Sequence, residues 1–386
     1  MRLLNTTTFE LEEFFGTNIP PYAIASHLHG KSEVTFQDLL NGKGPMKEGW
    51  RKIVGCCAQA RKEGWNWAWI DTCCIDKSST AELSEAINSM FRWYQRSQVC
   101  YAYLSDVPER ETDVYAIGSA FRESKWFTRG WTLQELLAPK SVVFYNSGWV
   151  EIGTKKSLET LVSAITRIEH LYGWETSSVA QKMSWASRRE TLKEEDIAYC
   201  LLGLFGVNMP PLYGEGEKAF LRLQTEIMKI SDDESIFAWV DETLSNGTSG
   251  LLARSPAAFK DSWDIDFCPN FRGAPYSMTN KGLQINLSLS APKRTRTERM
   301  HACRKGGSED QESKVYTAFL YCARRGQDEL LGLKLVKQWR SPEEYSRTSC
   351  YKLLGMADTL TGQPAEKTVF IRQDENYYTN LERSLA

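Results

Sequence analysis

The chain is short of the residues that build metal centres and disulfide frameworks. It has only four histidines, and none of its ten cysteines forms a CxxC pair. A zinc site needs thiolates and imidazoles clustered at ligand spacing, so no metal is expected. The adjacent pairs Cys56-Cys57 and Cys73-Cys74 are poorly placed for internal disulfides, and most of the thiols read as small buried hydrophobes. No apolar run approaches the roughly 18 residues of a membrane span. The opening stretch MRLLNTTTFELEEFF lacks the basic start and apolar core of a secretion signal, which makes the cytosol the expected compartment. A net charge of −2 leaves no global field to draw in nucleic acid or an anionic membrane. Neither GxGxxG nor GxxxxGK(S/T) occurs, so the Rossmann fingerprint and the Walker loop are both excluded.

What is present fits a globular protein. The 386 residues are 42% apolar and 25% charged, enough for a sizeable core. At about 150 residues per domain, that length predicts two or three domains. The 13 tryptophans are more than usual for this length and concentrate in the first half.

The first half alternates strand and helix signals. Tyr22–Ser26 (YAIAS) is a short apolar run that ends in the loop SHLHG. Residues 47–62 place Trp50, Ile53, Val54, Cys57 and Ala60 at helical spacing, and WAWID (67–71) reads as a second buried strand. Ser79 with Glu82 forms a capping box at the head of a helix carrying Leu83, Ile87, Met90, Phe91 and Tyr94. VCYAYL (99–104) and VVFY (142–145) are further strands. This order predicts an α/β fold with a mostly parallel sheet flanked by helices over 1–150. A helical region follows over 151–240, with helices expected at 157–171, 194–205 and within GEGEKAFLRLQTEIMKI. Within it, Arg188 and Arg189 are placed to grip a phosphate or to pair with the acids of KEED. The segment DETLSNGTSG reads as a linker. A β-rich accessory domain over 241–386 carries the strands LQINLSL, VYTAFLYCA and TVFIRQ, interrupted by the basic loop PKRTRTERMHACRKGG.

In open parallel sheets, ligands bind beyond the carboxyl ends of the strands near a topological switch point. Ser26, His27, His29 and Gly30 follow the first strand, Asp71 and Asp76 the second. The tryptophan segment ESKWFTRGWTLQELLAP (123–139) follows the third, with the lone carboxylate Glu135 among apolar neighbours. A carboxylate against aromatic walls is a candidate catalytic group, because burial tunes its proton affinity. The alternative is a helix docked through Trp126 and Trp131 with Glu135 in solvent. Cys74 with His27 forms a further candidate, a cysteine hydrolase pair on adjacent strand-end loops.

YAIASHLHG, WAWIDTCCIDK, SEAINSMFRWY, YAYLSDV, SKWFTRGWTLQELLAP, MSWASRRET, EDIAYCLLGLFGVNMPPLYGEGEKAFLRLQ and SDDESIFAW together resemble the fungal heterokaryon-incompatibility (HET) domain proteins over roughly residues 1 to 240. Such proteins trigger cell death when genetically different fungal cells fuse. The HET domain in turn resembles Toll/interleukin-1-receptor (TIR) domains, whose enzymes cleave NAD at the nicotinamide–ribose bond. The resemblance implies a TIR-like sheet and places Ser124, Trp126 and Glu135 in the positions of that family's site segment. It gives Glu135 the catalytic role. NAD is then a substrate rather than a cofactor, held by Ser26, His27, His29 and Gly30 and by Asp71 and Asp76, each aspartate alternatively capping the loop that follows it, with Trp126 and Trp131 as aromatic walls. It also implies self-association and an incompatibility partner acting in trans, or alternatively a non-catalytic self-associating module that recruits a death effector. The first loop departs from the family's usual Ser-His-x-Trp-Gly, since His29 stands where the tryptophan is expected.

Overall fold

In the computed structural model the chain divides into two compact units, residues 1–176 with 188–219, and residues 177–187 with 220–386. The structure describes residues 1–373 except 112, 245–246, 269–274, 291–314, 339–342, 351 and 356–364. The basic loop PKRTRTERMHACRKGG lies outside the described residues. The segment 151–240, expected as one helical extension, is shared between the two units.

The first unit is built on seven strands: β1 (Arg2–Asn5), β2 (Leu11–Glu13), β3 (Ala23–His27), β4 (Trp67–Trp69), β5 (Val99–Tyr103), β6 (Val142–Tyr145) and β7 (Glu151–Thr154). Their order is β2-β1-β4-β3-β5-β6-β7. The four central strands pair in parallel, while β1, β2 and β7 add antiparallel edges. The sheet is therefore more mixed than the alternation of strand and helix signals predicts. Its N-terminal hairpin comes from MRLLNTTTFELEEFF, too polar on β2 to read as a buried strand. All five residues of β3 are buried, as expected for a parallel strand covered on both faces.

Helices α1 (Phe36–Leu40) and α2 (Trp50–Lys62) link β3 to β4, and α3 (Asp71–Cys74) and α4 (Thr80–Arg96) link β4 to β5. Between β5 and β6 come α5 (Ala120–Glu123) and α6 (Thr132–Leu137). The chain therefore leaves β3 to one side for β4 and returns to its other side for β5. That reversal makes the carboxyl edge between β3 and β5 a topological switch point. On α2 the buried face is Ile53, Cys56, Cys57 and Ala60, and the expected core residue Val54 is exposed. Ser79 caps α4 through Glu82 N, but the Glu82 side chain does not close the box. It binds the Arg2 guanidinium and Asp76 N instead, since a charge-assisted bidentate pair is stronger than a neutral cap.

Three more helices complete this unit, α7 (Glu159–Thr166) and the short pair Asp196–Tyr199 and Leu202–Phe205 that replaces the single helix expected at 194–205. The second of the pair sits so close to α4 that a Cβ on Gly203 would lie 2.0 Å from Phe91 Cβ.

The second unit holds a nine-stranded sheet. Its longest strands are Gly282–Ser290, Val315–Arg324, Leu330–Lys337 and Ala365–Ile371, and the expected segments fall on three of these. Its pairings are antiparallel except between Glu344–Thr348 and Ala365–Ile371. The polar segment read as a linker carries a strand, Thr248–Ser249, which pairs with Glu344–Thr348. Arg347 is buried here, its guanidinium donating to the carbonyls of Phe237 and Trp239 and stacking on the Trp239 ring at 3.8 Å. No helix among the described residues is long and apolar enough to cross a membrane.

Candidate functional site

The strand-end residues of β3 and the short helix α6 meet at the switch point. Every residue of α6 is buried, which overturns the alternative of a docked surface helix with Glu135 in solvent. Glu135 is 8% exposed and accepts a hydrogen bond from Ser26 Oγ, the fourth residue of β3. Trp126 Nε1 donates to the same Ser26 oxygen at 2.8 Å. Trp126 is completely buried and packs edge-on against Phe127 and Phe144. Tyr94, from the apolar face of α4, donates to Ala25 O at 2.8 Å and also hydrogen-bonds Glu135.

Burial pushes the Glu135 carboxyl up to about 7, with the nearby Asp71 charge adding to the effect. The hydrogen bonds from Ser26 and Tyr94 favour the carboxylate and oppose that rise. Glu135 is thus poised near neutrality, where an acid can both hold and release a proton.

Two neighbouring segments fix α6. Gly130 N donates to Glu190 O at 2.9 Å, and Arg189 Nη1 donates to Arg129 O at 2.8 Å and to Thr132 Oγ1 at 3.0 Å. At its other end the buried Lys155 Nζ donates to Leu136 O at 3.1 Å and Pro139 O at 2.6 Å, a cation placed on the orphan carbonyls of a helix terminus. Arg189 therefore holds α6 through Arg129 O and Thr132 Oγ1, and Arg188 is exposed. Among those acids, Glu195 caps Gly214 N and Asp196 accepts from Tyr213 Oη at 2.9 Å.

Beside Ser26 the chain turns into a rim of ionisable groups. His29 Nε2 lies 2.8 Å from Asp71 Oδ2, and Lys77 Nζ donates to the same oxygen at 3.1 Å. Asp71, the first residue of α3, is half-buried, its side chain 19% exposed, and the loss of water opposes ionisation. Lys77 and His29 overcome that and hold its carboxyl well below the usual range. The Asp71 charge in turn raises His29. His27 is buried, and desolvation lowers its imidazole to about 4. Among the described residues its Nε2 has no hydrogen-bond partner. It lies 3.9 Å from both Asp71 Oδ1 and Glu33 Oε2. Lys52 Nζ donates to Leu28 O at 2.7 Å and binds Glu33 through the other carboxylate oxygen, and Gly30 N donates to that same oxygen.

Ser26 is therefore bonded to both Trp126 and Glu135, with His27, His29, Gly30 and Asp71 on the adjoining rim. Two expected residues lie elsewhere. Asp76 forms an Asx turn, accepting from Ser78 N and Oγ, because Asp is well suited to that local bond. Trp131 hydrogen-bonds Asp196. Ser124 Oγ reaches Asp106 Oδ1 at 2.8 Å and so anchors the loop that delivers Trp126. Cys74 is buried and its Sγ accepts from Ile70 N at 3.4 Å, which makes it a core thiol rather than a partner of His27. Sequence reasoning missed Tyr94, Glu33 and Lys52. Tyr94 was hidden on an apolar helical face, where only its hydroxyl distinguished it from a packing residue.

Comparison with known proteins agrees with this region of the chain. Residues 22–119 match the family described as "Heterokaryon incompatibility protein (HET)". The chain is 49% identical over 221 residues to "Vegetative incompatibility protein HET-E-1" of Podospora anserina. That match covers 55% of this chain and 16% of the relative's length. No solved structure gave a significant match. The matched stretch contains β3, α2, β4, α4 and β5, which position Ser26, the histidine rim and Tyr94, so residues 22–119 are the part of the chain that is similar to the HET family.

Proposed function

We propose that this chain acts in heterokaryon incompatibility as a cell-death signalling protein that hydrolyses NAD at the nicotinamide–ribose bond. The carrying observation is the buried Glu135 carboxyl, poised near pH 7 and hydrogen-bonded to Ser26, which also accepts from Trp126. The TIR-like reading of the sheet draws support from the parallel order β4-β3-β5-β6. In the reaction the bond from ribose C1′ to the pyridinium nitrogen breaks, and its electron pair neutralises the nicotinamide ring. Water adds to C1′ and loses a proton, giving nicotinamide and ADP-ribose. A carboxylate beside the ribose stabilises the oxocarbenium-like transition state. Glu135 takes that role, Ser26 orients it, and the rim of His27, His29, Gly30 and Asp71 holds the ribose and diphosphate.

The 8% exposure of Glu135 also favours a second reading, a non-catalytic module that self-associates and recruits an effector. Nicotinamide release from NAD, measured on concentrated protein with Glu135→Gln alongside, separates the two. Release that vanishes in Glu135→Gln supports the enzyme. A folded protein that releases none under any clustering condition leaves the signalling module.

A further inference from the structure

We propose that His27, His29 and Asp71 form a binding site for a divalent transition-metal ion of the zinc class, with Glu33 as the fourth ligand. The ligand atoms of His27, His29 and Asp71 all lie within 4.8 Å of one another, although His27 ends β3, His29 follows it and Asp71 opens α3. The inference does not rest on NAD hydrolysis, although it draws on the same rim of His27, His29 and Asp71.

The key atom is His27 Nε2. Its side chain is only 3% exposed, and among the described residues this nitrogen has no hydrogen-bond partner. It faces Asp71 Oδ1 and Glu33 Oε2, each at 3.9 Å. Those are the two oxygens left over, since Lys77 and His29 take Asp71 Oδ2 and Lys52 takes Glu33 Oε1. Neither tautomer satisfies this arrangement. A bare nitrogen would aim its lone pair at two carboxylate oxygens, and a protonated one would be too far from either to donate. A cation at the centre resolves both problems.

The spacing suits a first-row ion. Bonds of about 2.0–2.2 Å in a tetrahedral shell set the ligand atoms about 3.3 Å apart. His29 Nε2 lies 2.8 Å from Asp71 Oδ2 and His27 Nε2 lies 3.9 Å from Asp71 Oδ1, separations that straddle that value, so shifts of about half an ångström, with His29 giving up Oδ2 to the ion, close the shell. Two imidazoles with two carboxylates favour zinc-class ions over calcium or magnesium, which prefer all-oxygen shells. Two lysines oppose the ion. Lys77 sits on Asp71 but its side chain is 42% exposed and free to swing out. Lys52 binds the Glu33 oxygen that faces away from His27.

The test is a cobalt titration of the chelator-stripped full chain, followed by visible absorption. Ligand-field bands should appear at one ion per chain, without the near-ultraviolet band of cobalt–thiolate bonding, and zinc should displace them. His29, 38% exposed on its loop, can be changed without disturbing the core. His29→Gln should weaken cobalt binding by more than about 100-fold, beyond the 10–100-fold cost of losing an outer partner. Lys77→Met should strengthen binding several-fold, which no packing role for that exposed lysine predicts. His27→Gln should also abolish the bands, with circular dichroism as a check on folding. If His27→Gln unfolds, His29→Gln and Lys77→Met decide. Absent bands, a thiolate band, or bands unchanged in His29→Gln would each overturn the proposal.

Discussion

Trp126 Nε1 donates to Ser26 Oγ at 2.8 Å, and the same hydroxyl donates to Glu135, so one serine bonds to residues 100 and 109 positions away in the chain. Ser26 has one proton to give, and the indole can only donate. The direction of the indole bond is therefore fixed, and with Glu135 ionised Ser26 is the donor to its carboxylate.

Ser26→Ala should consequently have two effects. It strands a fully buried indole N–H, at a cost of about 1–3 kcal/mol. It also removes a bond that favours the Glu135 carboxylate, so the Glu135 carboxyl should titrate above its present value of about 7. Denaturant unfolding and a carbon-13 titration of the glutamate carboxyl measure the two separately. An unmoved titration would show that Ser26 does not act on Glu135.

Glu135 also predicts how stability follows pH. Its folded carboxyl is raised from 4.5 to about 7, so the unfolded chain ionises first. The stabilising contribution is full below about pH 4.5 and is lost as pH rises towards 7. The shift corresponds to about 3 kcal/mol. Glu135→Gln, which cannot ionise, should keep that contribution at pH 8 and flatten the profile between pH 5 and 8. Urea midpoints of both proteins across that range give the answer.

Much of this region was legible in the sequence, and the reason is local. Strands β3, β5 and β6 are apolar runs bounded by turn residues, and a buried parallel strand has little other way to be written. Ser26 and Glu135 could be named from their place after strands, and the fold brings them into contact. Asp76 and Trp131 show the limit. Their residue types suited a site, yet an Asx turn and a bond to Asp196 hold them elsewhere. The histidine rim was only half visible. His27 and His29 stand two apart in sequence, but Asp71 joins them only because β4 pairs beside β3. Long-range juxtaposition of that kind leaves no trace in spacing. The edges of the sheet failed for a different reason, since β1 and β2 are short and partly polar.

Gly203 tests the helical packing around the sheet. A methyl group there would fall 2.0 Å from Phe91 Cβ, an atom fixed to the α4 backbone that cannot rotate away. Gly203→Ala should force the Leu202–Phe205 helix off α4 and destabilise the chain by about 1–3 kcal/mol, the usual cost of overpacking. Thermal unfolding measures the loss, and Gly203→Ala should cost less in a Phe91→Gly background, which removes the clashing Cβ.

In the second unit, Glu234 repeats the electrostatic situation of Glu135 without any neighbouring site. It is buried, its Oε2 accepts from Tyr321 N at 2.9 Å, and burial raises its carboxyl to about 7, helped by the charges of Asp233 and Asp232. Its stabilising contribution is therefore complete below about pH 4.5 and is lost as pH rises through 7. Glu234→Gln keeps an acceptor for Tyr321 N while removing the charge, so it should match the wild type at pH 5 and exceed it at pH 8 by up to about 3 kcal/mol. Glu234→Ala should be destabilised at both values, because Tyr321 N then loses its side-chain acceptor. Amide exchange of the strand Val315–Arg324 reports this locally. A Glu234→Gln variant no more protected at pH 8 than the wild type would mean that Glu234 stays neutral there, or that water reaches it.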